Sequence, residues 1–150
     1  MLEEYNEESI PYIDITDENI DNINMEDIVA IRYAGGCSMG DSGGIQLLSY
    51  KNGLKFYYIN LLDSEKDIID KVMNGFFQPF GKYLLEHNFI IYDEFDGWKS
   101  YYTGCGNNLY VRNEYVDKFE KVGNSYRRGI VAGQIGIGNV NKFLYETFNN

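Results

Sequence analysis

The chain is poor in the residues that most site chemistries need: it has two cysteines, one histidine and, before Arg32, no lysine or arginine. Cys37 and Cys105 are too few to form a disulfide framework, so they read as free thiols of a reducing compartment. One histidine and two distant cysteines do not supply the convergent donors of a tetrahedral zinc site. No apolar run approaches the roughly 18 residues needed to cross a bilayer. The opening Met1-Leu2-Glu3-Glu4-Tyr5 has neither the basic nor the apolar stretch of a signal peptide. Clustered cations are lacking too, since only Arg127 and Arg128 stand adjacent, and this argues against nucleic acid as a partner. These shortages describe a cytoplasmic protein with no cofactor, no bound metal and no membrane contact.

What the chain does have is apolar and aromatic bulk. Its 150 residues are 44% hydrophobic and 16% aromatic, far too apolar for disorder. That length suits one domain, residues 1–150, able to bury most of its unfolded surface without staples. Residues 1–9 read as a mobile acidic lead-in, and Pro11–Ile15 as a short β-prone strand. Thr16 or Asp17 can cap a short acidic helix carrying Ile20, Ile23 and Ile28 on one side. Ile28–Tyr33 reads as a buried strand, followed by a glycine-rich loop from Gly35 to Gly44. Ile45–Tyr50 and Leu54–Ile59 flank Lys51-Asn52-Gly53, a strong hairpin signal.

Asp63 or Ser64 opens a helix with Ile68, Ile69, Val72 and Met73 on its apolar face, and Phe80–Glu86 resumes helical character after Pro79. Strands follow at Phe89–Tyr92, Trp98–Thr103 and Leu109–Val111. Glu114–Lys121 reads as a short helix with Tyr115, Val116 and Phe119 inward. Residues 130–137 are extended, and Val140–Phe148 closes the chain as an amphipathic helix. Hairpin-like strand groups with irregular helices predict an α+β fold, a mainly antiparallel sheet with three to four short helices.

The net charge of −10 is not evenly spread. Residues 1–31 hold ten of the 23 acidic residues and none of the 13 basic ones, so the remaining 13 acids balance the 13 bases. The whole excess sits in one N-terminal segment attached to a formally neutral body. Polarised charge of this kind speeds encounter with a basic partner and repels nucleic acid and anionic membrane.

Several motifs bear on chemistry. Gly40-Asp41-Ser42-Gly43-Gly44, with Cys37 just before it, resembles the nucleophile loop of chymotrypsin-like serine proteases. That chemistry needs a histidine base ahead of the serine, whereas the single His87 follows Ser42 and only 41 residues precede it. A tight glycine loop between strands accounts for the string, with no catalytic residue assigned. Cys105, in Gly104-Cys105-Gly106-Asn107-Asn108, could pair with His87 as the nucleophile and base of a small hydrolase or transferase, although no thiolate-stabilising pattern is visible. Asp17-x-Asn19-x-Asp21 opens like a calcium loop, but Asn22 stands where glycine is needed and Ile28 where a bidentate Glu belongs. Gly133-x-x-Gly136-x-Gly138 has the spacing of neither common nucleotide loop.

Recognition remains. Tyr92-Asp93-Glu94-Phe95-Asp96-Gly97-Trp98 interleaves carboxylates with large aromatics, a mixture suited to a basic protein surface. The candidate partner-binding residues are therefore Asp17, Glu18, Asp21, Asp93, Glu94, Asp96 and Trp98.

Three segments carry a family likeness: Ile28–Asp41, the strand-turn-strand ending in Tyr57-Tyr58-Ile59-Asn60, and Trp98 through Leu109. Together they resemble small bacterial immunity proteins that accompany polymorphic or contact-dependent toxins. The resemblance implies an inhibitor that occludes the active site of a cognate basic toxin domain, often a nuclease; it transfers no residue roles by position. A toxin acting on nucleic acid needs a basic cleft for phosphates, which an acidic plug can fill. A structural or assembly subunit is the third reading, and the sequence leaves the oligomeric state open.

Overall fold

The computed structural model describes residues 10–16, 18–19, 22–34, 44–51, 53–60, 97–104, 107–136 and 139–149. They build an eight-stranded sheet of order β1-β4-β3-β2-β6-β5-β8-β7. The strands are β1 (Tyr12–Asp14), β2 (Ile28–Ala34), β3 (Gly44–Ser49), β4 (Lys55–Asn60), β5 (Trp98–Gly104), β6 (Asn107–Arg112), β7 (Ile130–Val131) and β8 (Gln134–Ile135). Two α-helices, α1 (Val116–Gly123) and α2 (Val140–Phe148), lie among the described residues.

The α+β expectation holds in its coarse form, with two corrections. The sheet is mixed, because β1 joins β4 and β5 joins β8 in parallel while the other five pairings are antiparallel. The described helices number two rather than three to four. The expected helices at 63–73 and 80–86, the strand at 89–92 and the lead-in at 1–9 lie outside the described residues.

The hairpin β3–β4 forms where Asn-Gly predicts it, with Ser49 opposite Lys55 and Gly53 at φ +92. A φ of that sign suits glycine, which has no Cβ to clash. The apolar run Ile28-Val29-Ala30-Ile31 lies near the middle of the sheet, and every residue in it is buried. Continuous rather than alternating apolarity fits a strand covered on both faces.

The acidic helix expected after Thr16 does not form among the described residues. Asn19 instead captures the backbone: its Oδ1 accepts from Thr16 N at 2.9 Å and its Nδ2 donates to the Asp14 carbonyl at 2.7 Å. Asn24 Oδ1 likewise accepts from Glu26 N at 3.0 Å, ahead of a 3-10 turn at Met25–Asp27. Asparagine side chains that bond nearby main chain compete with helix formation, and here they win twice.

Pairing places two rows of side chains on the helix-bearing face. One runs Tyr12, Phe56, Leu48, Ala30, Val111, Lys99; the next runs Asp14, Tyr58, Gln46, Arg32, Leu109, Tyr101. α2 covers this face with Val140, Phe143, Leu144, Thr147 and Phe148 buried, the spacing of one helical face. Its N-cap is Asn139, whose side chain accepts from Lys142 N at 3.0 Å. Asn141 meets Gln46 at one end of α2, and Phe148 meets Tyr50 at the other. Seven residues of helix rise about 10 Å and four residues of strand about 14 Å, so α2 runs along β3.

Phe119 of α1 stacks on Phe143 of α2 with centroids 4.2 Å apart and planes at 9°, and Tyr101 closes on Phe119 at 5.0 Å. All three rings are fully buried. After α1 the chain doubles back so tightly that a Cβ on Gly129 would lie 2.1 Å from the Gly123 carbonyl oxygen.

Candidate functional site

β1 is the outermost strand on one side of the sheet and runs parallel to its neighbour β4. β4 and β3 separate it from β2, and alternation along these pairings makes β1 and β2 parallel as well. The connection after Asp14 must therefore return to the far end of the sheet before β2 begins. Its described residues alternate between anchors and surface: Ile15 and Ile23 are buried, while Thr16, Glu18, Asn22, Asn24 and Glu26 are exposed. Ile15 N donates to the Tyr58 carbonyl at 2.8 Å and Phe56 N to the Pro11 carbonyl at 2.9 Å. The described start of the acidic segment is thus pinned to the sheet at Pro11 and Ile15.

Among the described residues, the exposed carboxylates Asp14, Glu18 and Glu26 have no cationic partner. Asp27 alone meets one, Lys51 at 3.4 Å, a surface pair of little energetic weight. Several cations of the body are engaged within it. Lys99 bonds Glu120 at 3.0 Å, Lys142 lies 4.0 Å from Glu146, and Lys118 lies over the Tyr50 and Phe148 rings. These body charges are met by neighbours, while Asp14, Glu18 and Glu26 face solvent. Tyr12, half exposed at 50%, stands two residues before Asp14 on the same face of β1. Its ring tilts against Phe56 at 5.9 Å and Tyr58 at 5.7 Å. Burial is the main cause that pushes its hydroxyl pKa up to about 12, with Tyr58 adding to the rise and Arg32 opposing it.

Of the expected contact residues, Glu18 and Trp98 are described. Glu18 is exposed in the turn after β1. Trp98 opens β5, part-buried, with the Arg112 guanidinium 4.4 Å over its ring and Arg112 Nε donating to the Ile28 carbonyl at 3.0 Å. One face of the indole is therefore occupied from within. β5 lies five strand spacings from β1, on the order of 24 Å, so Glu18 and Trp98 do not converge on one small site. Asp17, Asp21, Asp93, Glu94 and Asp96 lie outside the described residues, as do Ser42, Cys37, Cys105 and His87 of the catalytic alternatives.

Sequence reasoning placed Glu26 within a contact stretch at residues 17–27 but did not single out Tyr12 or Asp14. The strand expected at 11–15, with its period of two, was a signal that places Tyr12 and Asp14 side by side. Among the described residues there is no cluster of three or more His, Cys, Asp or Glu able to hold a metal ion, and no helix long and apolar enough to cross a membrane. Comparison with protein-family models, curated proteins and solved structures gives no match.

Proposed function

We propose that this chain is a binding protein that docks a basic protein domain along its N-terminal acidic segment, from Asp14 at the edge strand to Glu26 before β2, and neutralises that domain by occluding its active site. The observation that carries the reading is the exposure of Asp14, Glu18 and Glu26, without cationic partners among the described residues, on a segment pinned by Ile15, Ile23 and the Asn19 hydrogen bonds. Carboxylates held by a rigid frame steer a cationic partner and lose less conformational entropy on contact than carboxylates on a free tail. Tyr12, beside Asp14 on β1, offers aromatic contact area of the kind that anchors interfaces. The resemblance to immunity proteins supplies the class of partner, a toxin domain with a basic substrate cleft.

The test is co-expression with the C-terminal domain encoded by the reading frame immediately upstream. Growth arrest by that domain, relieved by this chain and restored when Asp14, Glu18 and Glu26 are all changed to Lys, is the expected result. An upstream domain that is harmless, or relief that survives the triple change, overturns the reading.

A further inference from the structure

Arg32 and Gln46 are directly opposed on β2 and β3, so their Cβ atoms stand about 5 Å apart on the helix-bearing face. Arg32 Nε and Gln46 Oε1 are both buried, and neither has a hydrogen-bond partner among the described residues. A lone donor and a lone acceptor therefore sit on facing residues without bonding each other. Gln46, only 2% exposed, is held away by its other end, where Nε2 donates to Asn141 Oδ1 on α2 at 3.1 Å. Native proteins rarely leave buried polar atoms unpaired, because each costs on the order of 1–3 kcal/mol.

Charge sharpens the point. Arg32 is part-buried, stays protonated at neutral pH, and meets no carboxylate among the described residues. Asp14, in the same cross-strand row, is three strand spacings away, about 14 Å. A water could bridge the two unpaired atoms, but it brings no counter-charge. The amino-terminal end of α2 adds positive potential on the same side, since Asn141 lies in its first turn. Tyr58 forms the wall next to Gln46; its ring lies over Gly44, where a Cβ would come within 2.6 Å of it.

We propose that Arg32 and Gln46 form a binding site for a small oxyanion that carries a hydroxyl or N–H beside its negative oxygen, such as hydrogen phosphate or an α-hydroxycarboxylate. The negative oxygen accepts from Arg32 Nε, and the adjacent donor satisfies Gln46 Oε1. Tyr58 flanks the group. This site adjoins the edge strand through Tyr58, whose ring meets Tyr12 at 5.7 Å, but its ligand has the opposite charge to the partner proposed for the acidic segment.

The test is nuclear magnetic resonance of the Arg32 Nε–H and the Gln46 side-chain amide in the full chain. Inorganic phosphate, lactate, acetate and chloride are titrated separately at fixed ionic strength. Saturable shifts of both signals with phosphate or lactate are expected, and whichever of the two binds more tightly identifies the source of the oxyanion. Acetate, lacking the donor, should bind more weakly than lactate. Arg32→Met should weaken binding at least about tenfold, the size of one lost charge-assisted hydrogen bond. Responses to phosphate and lactate no larger than that to chloride, or a response retained in Arg32→Met, overturn the site and leave a water bridge. Should Arg32→Met fail to fold, Gln46→Glu decides instead, because it builds a counter-anion into the site. A higher unfolding midpoint with loss of the oxyanion response supports the proposal, and a lower midpoint overturns it.

Discussion

Asn19 and Asp14 are joined by a 2.7 Å hydrogen bond from side-chain amide to main-chain carbonyl, and the other end of the same amide accepts from Thr16 N. One side chain thereby closes the turn that carries Glu18 and fixes the exit of the edge strand.

Asn19→Ala should remove both bonds. Each contributes about 1 kcal/mol net, so urea unfolding is expected to show a loss of about 1–2 kcal/mol. The same variant should dissociate faster from a basic partner, because Glu18 would no longer be held in place. Unchanged stability would mean that the turn is held by something other than Asn19.

The stacked pair Phe119 and Phe143 joins the two described helices over the sheet. Phe119→Ala opens a cavity among Tyr101, Phe143 and β6, and should cost about 3–5 kcal/mol in chemical denaturation. Phe119→Leu keeps most of the volume and should cost distinctly less.

Gly129→Ala tests the backbone crossing after α1. Its Cβ would press on the Gly123 carbonyl, which is main chain and cannot swing aside. A large loss of folded protein is expected. Gly44→Ala meets the Tyr58 ring, a movable side chain, and is expected to be milder while altering the oxyanion response.

Alkaline pH should destabilise the fold through two tyrosines. Burial first, then the hydrogen bond its hydroxyl donates to Glu146, raises the Tyr126 pKa above its ordinary 10.0. Burial is also the main cause that raises Tyr12 from 10.0 to about 12. A raised pKa means that the folded state holds its proton more tightly than the unfolded chain. The associated stability is complete below pH 10; the share of Tyr12 is lost as pH climbs through about 12, and that of Tyr126 begins to fall above pH 10 and is lost as pH rises through its own raised value. Tyr126→Phe should be less sensitive over that window, as read by unfolding midpoints at pH 9, 10 and 11. Equal alkaline sensitivity in the variant would contradict the assignment.

Much of the fold was legible because local signals and tertiary structure agree. The Asn-Gly hairpin, the apolar run at β2 and the amphipathic spacing of Val140–Phe148 each specify one outcome. The acidic helix expected after Thr16 does not form among the described residues because Asn19 and Asn24 spend their side chains on the main chain, which propensity does not show. The parallel pairings of β1 and β8 were also hidden. They depend on where short segments dock, Tyr12–Asp14 against β4 and Gln134 against Tyr102, and a strand of two or three residues carries no partner signal of its own. The acidic segment was visible as charge, but the hydrogen bonds that anchor it at Pro11, Ile15 and Asn19 were not. The unpaired atoms of Arg32 and Gln46 required the register between β2 and β3.

The most direct measurement is the association rate with the basic upstream domain, followed against ionic strength for the wild type and for the triple variant D14K/E18K/E26K. Steering by the acidic edge should make the wild-type rate fall by about an order of magnitude or more between low and high salt, as screening shortens its reach. The triple variant should associate at least about tenfold more slowly at low salt, with its salt dependence flattened or inverted. Equal rates and equal salt slopes for the two proteins would contradict recognition through this edge.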